Sequence, residues 1–218
     1  MIKYVLFDLD GTLLSTLETI TYHLNATVSG LSLGEVSIED TREFIGNGAR
    51  KLVSRALAKN GVFDEATVSE ALALYNRAYD KDPLPLTYPY DGIISLVNTL
   101  YERGVTLGVV TNKPEPTAVK LVESFFPGQF AFVRGGKEGV TLKPDPKEAI
   151  SLLESVGGVP SECAFVGDTD VDIFTGKNMG AALSIGVSWG FRAREELVRA
   201  GADSVADNAT DILELIEK

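Results

Sequence analysis

The chain has 218 residues, 44% of them hydrophobic and 23% charged, and its 31 acidic against 20 basic side chains leave a net charge of −11. That length buries a full core without disulfides or a structural metal, while the acidic balance and the lack of a basic stripe argue against a nucleic-acid partner. One cysteine, Cys163, and one histidine, His23, exclude a disulfide framework, a cysteine-clustered metal site and a His-rich zinc site, and argue against an unaided Ser-His-Asp triad.

Short apolar runs recur along the chain, at 4–7, 105–110, 163–166 and 181–187. Runs of that length suit strands buried on both faces, the pattern of a parallel sheet. Segment 15–81 breaks the rhythm, with no convincing strand and at least two strong helical stripes. Ala49, Leu52, Val53, Ala56 and Leu57 form the first, stopped at Asn60-Gly61; Val68, Ala71, Leu72, Tyr75 and Tyr79 form the second. The expected organisation is an α/β core, doubly wound and Rossmann-like, of residues 1–14 and 82–218, with residues 15–81 inserted as a helical cap. Asp82-Pro83-Leu84-Pro85 reads as the hinge back.

Beyond the hinge, Leu96, Val97, Leu100 and Tyr101 make a stripe that ends at Gly104. A later helix carries Ala149, Ile150, Leu153 and Val156, with Asp145 as its N-cap, Pro146 in its first position and Gly157 as its stop. Strand and helix alternate from there to the end, as a doubly wound sheet requires.

Ligands of open α/β sheets gather at the carboxyl ends of the strands. Four segments stand at such places: Asp8-Leu9-Asp10-Gly11-Thr12, Thr111-Asn112-Lys113-Pro114, Lys143-Pro144-Asp145-Pro146 and Gly167-Asp168-Thr169-Asp170-Val171-Asp172. Thr111 and Lys143 are 32 residues apart and Lys143 and Asp168 are 25 apart, each close to one βα repeat of roughly 30 residues. The residue types suit phosphoryl transfer. Strand alternation puts Asp8 and Asp10 on one face, so Asp8 can attack phosphorus while Asp10 protonates the leaving oxygen. A carboxylate approaches a phosphate dianion only with a hard cation between them, for which magnesium is the natural choice and Asp168 a further ligand. Lys143, Thr111 and the amide of Asn112 are expected to hold phosphate oxygens.

The four segments in this order resemble the motifs of the haloacid dehalogenase superfamily of phosphohydrolases, and the resemblance spans the chain. Within that superfamily the chain is most similar to phosphoglycolate phosphatases, through Phe44-Ile45-Gly46-Asn47-Gly48-Ala49-Arg50, Trp189-Gly190 and Gly201-Ala202-Asp203. The resemblance implies a phosphatase for small organic phosphate monoesters, with 2-phosphoglycolate as substrate and Asp8 as the nucleophile. It also implies Asp10 as general acid and base, and Mg2+ held by Asp8, the main-chain carbonyl of Asp10 and Asp168, with Asp172 supporting the metal. Arg50 of the inserted segment is expected to read the anionic tail of the substrate. A sugar-phosphate mutase, a carbon-halogen hydrolase and a phosphoaccepting receiver module are the competing readings.

Two positions depart from the resemblance: Ser15-Thr16 stands where the family has Asp-Ser, and Tyr90-Asp91-Gly92 where it has Tyr-Pro-Gly. Cys163 in an apolar run reads as an inert core thiol and His23 as a packed or exposed helix residue. No apolar run reaches the roughly 20 residues that span a bilayer, and the run before Asp8 is too short for a signal peptide. The expected setting is therefore the cytoplasm, with no membrane partner, as a monomer or homodimer.

Overall fold

A computed structural model describes residues 1–137 and 139–217. Six strands form one parallel sheet: β1 (Tyr4–Phe7), β4 (Thr106–Pro114), β5 (Phe132–Gly136), β6 (Cys163–Gly167), β7 (Leu183–Val187) and β8 (Ser204–Ala206), in the order β5-β4-β1-β6-β7-β8. The chain runs outward from β1 through β4 to β5, then returns to the other side of β1 to lay down β6, β7 and β8. The order therefore reverses around β1, and the crevice at that switch point lies beyond the carboxyl ends of β1 and its neighbours.

Alternation along the strands builds a core on each face. Val5 and Phe7, Leu107 and Val109, Ala164 and Val166, and Ile185 and Val187 face one side. There they pack against α5 (Ile93–Glu102), α6 (Glu115–Phe125) and α10 (Ala209–Glu217). Leu6, Val110, Cys163 and Phe165 face the other side, against α7 (Lys147–Ser155) and α8 (Asp170–Met179). Leu197 of α9 (Arg194–Arg199) closes over Gly186 of β7. The sheet is thus covered on both faces, which is why its strands read as continuous apolar runs.

A second apolar core belongs to the helices between β1 and β4: α1 (Leu17–Gly30), α2 (Ile38–Phe44), α3 (Ala49–Lys59) and α4 (Glu65–Lys81). On α1 the stripe is Leu17, Ile20, Leu24 and Val28, which meet Leu52, Val53, Ala56 and Leu57 of α3 and Val68, Ala71, Tyr75 and Tyr79 of α4. Helix starts are specified locally. Ser37 and Asp40 form a capping box on α2, and Asp64 accepts from the Thr67 amide at the head of α4. The chain leaves for these helices and returns from them through a two-stranded antiparallel ribbon, β2 (Leu14–Ser15) and β3 (Tyr88–Pro89).

The structure differs from the sequence reading at several elements. Strands β5 and β8 stand outside the apolar runs, and β2 takes in Ser15, in a segment with no strand signal. Segment 15–81 holds α1 and α2 besides the two striped helices. Helix α7 begins at Lys147, one residue later than expected, so Pro146 is the cap; Asp145 Oδ1 still accepts from the Lys147 amide at 2.9 Å. Tyr101 is exposed although its spacing fits the α5 stripe.

Cys163 is fully buried, and loss of solvation pushes its thiol up to about 12. A thiol reagent at neutral pH should titrate nothing in the native protein and one thiol per chain after unfolding.

Candidate active site

The main chain turns sharply after β1. The Asp8 amide still donates to Val166 O at 2.9 Å, and the amides of Leu13 and Leu14 then fold back on Leu9 O, both at 3.0 Å. Asp10 therefore lies beyond the strand, in a turn whose Gly11 has φ of +84°. The two carboxylates share a cleft because of this turn, and not through the strand alternation that the sequence suggests. Around them lie Thr111, Asn112 and Lys113 at the end of β4, Lys143 before α7 and Asp172 on α8. The cleft lies between the sheet and the inserted helices and is narrow, with about 60 Å³ open to the centre of a water-sized sphere.

Asp8, Asp168 and Asp172 are all buried and offer carboxylate oxygens within 4.8 Å of one another. The Lys143 ammonium, its side chain 3% exposed, stands 2.8 Å from Asp8 Oδ1 and 2.6 Å from Asp172 Oδ1. Asp172 is fully satisfied: its Oδ2 accepts from the Thr169 amide and hydroxyl at 3.0 and 2.7 Å, capping α8. Asp168 accepts from the Thr12 hydroxyl at 2.9 Å and from the Phe191 amide at 2.8 Å. Asp8 Oδ1 is the exception. Buried, it has the Lys143 ammonium 2.8 Å away as an ion pair and no other polar partner.

One ammonium against three carboxylates leaves this cluster short of positive charge. Burial, with the repulsion of Asp172 and Asp10, raises the Asp8 carboxyl to about 6 against the pull of Lys143. Burial and the carboxylates of Asp172 and Asp8 raise Asp168 well above the usual range. Burial works against the charged form of Lys143, but Asp172 and Asp8 outweigh it and raise the ammonium above its ordinary value. An all-oxygen donor set with surplus negative charge, three carboxylates against one ammonium, fits a hard divalent cation. Asp170, the first residue of α8, is exposed and outside the cluster.

Small residues make room for the carboxylates. A side chain at Gly11 or Gly190 would collide with Asp168, and one at Gly167 with Asp172. Asn112 serves the scaffold. Its side-chain amide donates to Gly46 O at 3.0 Å and to Lys143 O at 3.1 Å, and its Oδ1 accepts from the Lys143 amide at 2.8 Å. The Thr111 hydroxyl accepts from the Lys113 amide at 3.3 Å and lines the cleft.

Arg50 is not brought to the cleft. It is half exposed, pairs with Glu65 on α4 and does not line the site. Two cleft residues carry polar contacts to which the sequence reading gives no role. Lys113 Nζ lies 3.0 and 3.2 Å from the two Asp10 oxygens and donates to the Tyr79 hydroxyl at 2.8 Å. Lys113 stands within a segment already singled out, whereas Tyr79 is indistinguishable in sequence from the other apolar positions of its stripe. His23 stacks on Tyr79 with ring centroids 4.8 Å apart, and its Nε2 meets Asp82 O at 2.8 Å.

Residues 5–185 match the family model of the haloacid dehalogenase-like hydrolases, and the chain belongs to that family. It is therefore an enzyme of the hydrolase class, phosphoglycolate phosphatase-like in sequence. It is 35% identical to phosphoglycolate phosphatase 1 of Pseudomonas aeruginosa, over 97% of this chain and 78% of the relative. It is likewise 35% identical to the phosphoglycolate phosphatase of Rhodospirillum rubrum, over 95% of this chain and 88% of that one. The crystal structure of a predicted phosphoglycolate phosphatase from Haemophilus somnus superposes with a TM-score of 0.91 at 26% identity, covering 98% and 97% of the two chains. No helix among the described residues is long and apolar enough to cross a membrane.

The Lys143 ammonium is the only positive charge inside the carboxylate cluster among the described residues. Lys143→Met should lower stability to urea by about 3 kcal/mol or more at pH 7 in the presence of EDTA, since removing one partner of a buried pair strands the other.

Proposed function

We propose that this chain is a magnesium-dependent phosphatase for small organic phosphate monoesters, that it works through an aspartyl phosphate on Asp8, and that 2-phosphoglycolate is its substrate. The observation that carries the reading is Asp8 itself: a buried carboxylate at the wall of the cleft, its Oδ1 paired only with the Lys143 ammonium that Asp172 shares, and Asp10 beside it. The substrate named for the two curated relatives supports the choice of ester.

A carboxylate oxygen of Asp8 attacks phosphorus, and the bond from phosphorus to the ester oxygen breaks. Asp10 gives its proton to the departing oxygen, which leaves as an alcohol. Water then attacks the phosphorus of the acyl phosphate as Asp10 takes back a proton. The bond to Asp8 breaks, releasing inorganic phosphate and restoring the carboxylate. Lys143 neutralises the phosphoryl oxygens, and Thr111 donates to them. Asp172 holds the ammonium in place, and Asn112 holds the main chain that carries it. Asp8, Asp168 and the carbonyl of Asp10 would hold Mg2+, which supplies the charge that lets carboxylate and phosphate dianion approach.

In this reading residues 15–81 are a cap over a core of residues 1–14 and 82–218, with hinges at Ser15-Thr16 and Asp82-Pro83-Leu84-Pro85, next to the ribbon of Leu14–Ser15 with Tyr88–Pro89. Closure of the cap excludes water and selects the ester. The proposed setting is the cytoplasm.

Phosphate release from 2-phosphoglycolate should be abolished by EDTA and restored by Mg2+. Asp8→Asn should remove turnover by at least about 1,000-fold, the scale of losing a nucleophile, with an unchanged circular-dichroism spectrum. Turnover retained in Asp8→Asn would refute the nucleophile, and isomerised sugar phosphate formed without release of phosphate would turn the reading to a mutase.

A further inference from the structure

We propose that Lys113 and Tyr79 form a carboxylate-reading pair that selects esters whose leaving group carries a carboxylate. The inference rests on the phosphatase reading above and names the groups that set its substrate class.

Among the described residues that line the cleft, the only cationic side chains are Lys143 and Lys113. Lys143 is held by Asp8 and Asp172 at the phosphoryl end. Lys113 stands beside Asp10, the acid that meets the leaving group, and against Tyr79 of α4. Arg50, the cation that the sequence offers for this task, is paired with Glu65 outside the cleft. The wall contributed by the inserted helices is largely apolar, with Ile20, Ile45 and Leu52 joined by Phe191. A substrate tail in that space finds fixed positive charge in one place.

The hydrogen-bond inventory sharpens this. A lysine ammonium has only donors, so in the 2.8 Å contact the Tyr79 oxygen accepts. The Tyr79 proton is then left to donate, and no acceptor for it occurs among the described residues. The three ammonium protons are engaged by the two Asp10 oxygens and the Tyr79 oxygen, so the free donor is the Tyr79 hydroxyl, and the adjacent charge adds electrostatic attraction for a carboxylate that accepts from it. The Lys113 side chain is 2% exposed and that of Asp10 14% exposed. The pair is thus well desolvated on the lysine side and open towards the cleft on the acid side. A neutral tail would leave the Tyr79 proton without an acceptor, and a cationic tail would meet the repulsion of Lys113.

The test compares esters of one size with different tails on the full chain with Mg2+: 2-phosphoglycolate, 2-hydroxyethyl phosphate and O-phosphoethanolamine. The native protein should prefer 2-phosphoglycolate over 2-hydroxyethyl phosphate by about 100-fold or more in kcat/KM, the scale at which a polar site rejects an analogue lacking the matching group. O-phosphoethanolamine should be the poorest of the three. Lys113→Met should cut the ratio of 2-phosphoglycolate to 2-hydroxyethyl phosphate roughly 10- to 100-fold, and Tyr79→Phe several-fold, chiefly through KM. A merely structural role would lower both esters together and leave that ratio where it was. If Lys113→Met does not fold, Tyr79→Phe, which keeps the buried ion pair, carries the test alone. A native ratio near one, or a ratio within about twofold of native in the folded variants, would overturn the proposal and leave the phosphatase reading standing. No phosphate release from any of the three would remove both.

Discussion

Three carboxylates and one ammonium share a buried space at the end of the central strand, and much of the structure around them keeps that arrangement from flying apart. Asp8, Asp168 and Asp172 come from the ends of two adjacent strands and the helix after the second, so the register of β1 against β6 decides whether they meet. Lys143 comes from a loop, and a loop lysine buried this deeply has to be held. Asn112 does so by bonding its main chain on both sides, while Asp172 takes the ammonium. Glycines 11, 167 and 190 leave the volume that the carboxylates occupy. Even so, the cluster stays electrostatically unfinished: the Asp8 and Asp168 carboxyls are raised, and Asp8 has only the ammonium that it shares with Asp172. Surplus buried charge is costly unless another cation completes it, and that incompleteness is what makes the cluster chemically useful.

The inserted helices are tied to the same place. Asn112 bonds Gly46, Lys113 bonds Tyr79, Arg192 bonds the carbonyls of Arg42 and Ile45, and Phe191 packs into the helical core. Phe191 links the two parts most directly, since its amide holds Asp168 while its ring lies among the inserted helices. Movement of those helices is thereby felt at Asp168 through one residue and at Asp10 through two.

The sheet is legible in the sequence because strands buried on both faces must be apolar throughout, as Tyr4–Phe7 and Cys163–Gly167 are. Strand β5 escapes because it is an edge strand with Arg134 and two glycines, and β8 because it is three residues long. The ribbon of two-residue strands lies below any periodicity. Helices α3 and α4 announce themselves through clean stripes and stops, while α1 hides its stripe among threonines that bond back to their own helix, such as Thr21 and Thr27. The carboxylates and Lys143 are legible from spacing along the chain. The pairing of Lys113 with Tyr79 is not, because it joins two segments whose separate patterns say nothing of their meeting.

The central claim is that the carboxylate cluster is completed by a divalent cation, and thermal unfolding with and without MgCl2 tests it without any substrate. Mg2+ should raise the melting temperature of the native protein, as any ligand of the folded state does, and this rise should vanish in Asp168→Asn, which removes one oxygen donor. No rise in the native protein, or an equal rise in Asp168→Asn, would contradict it.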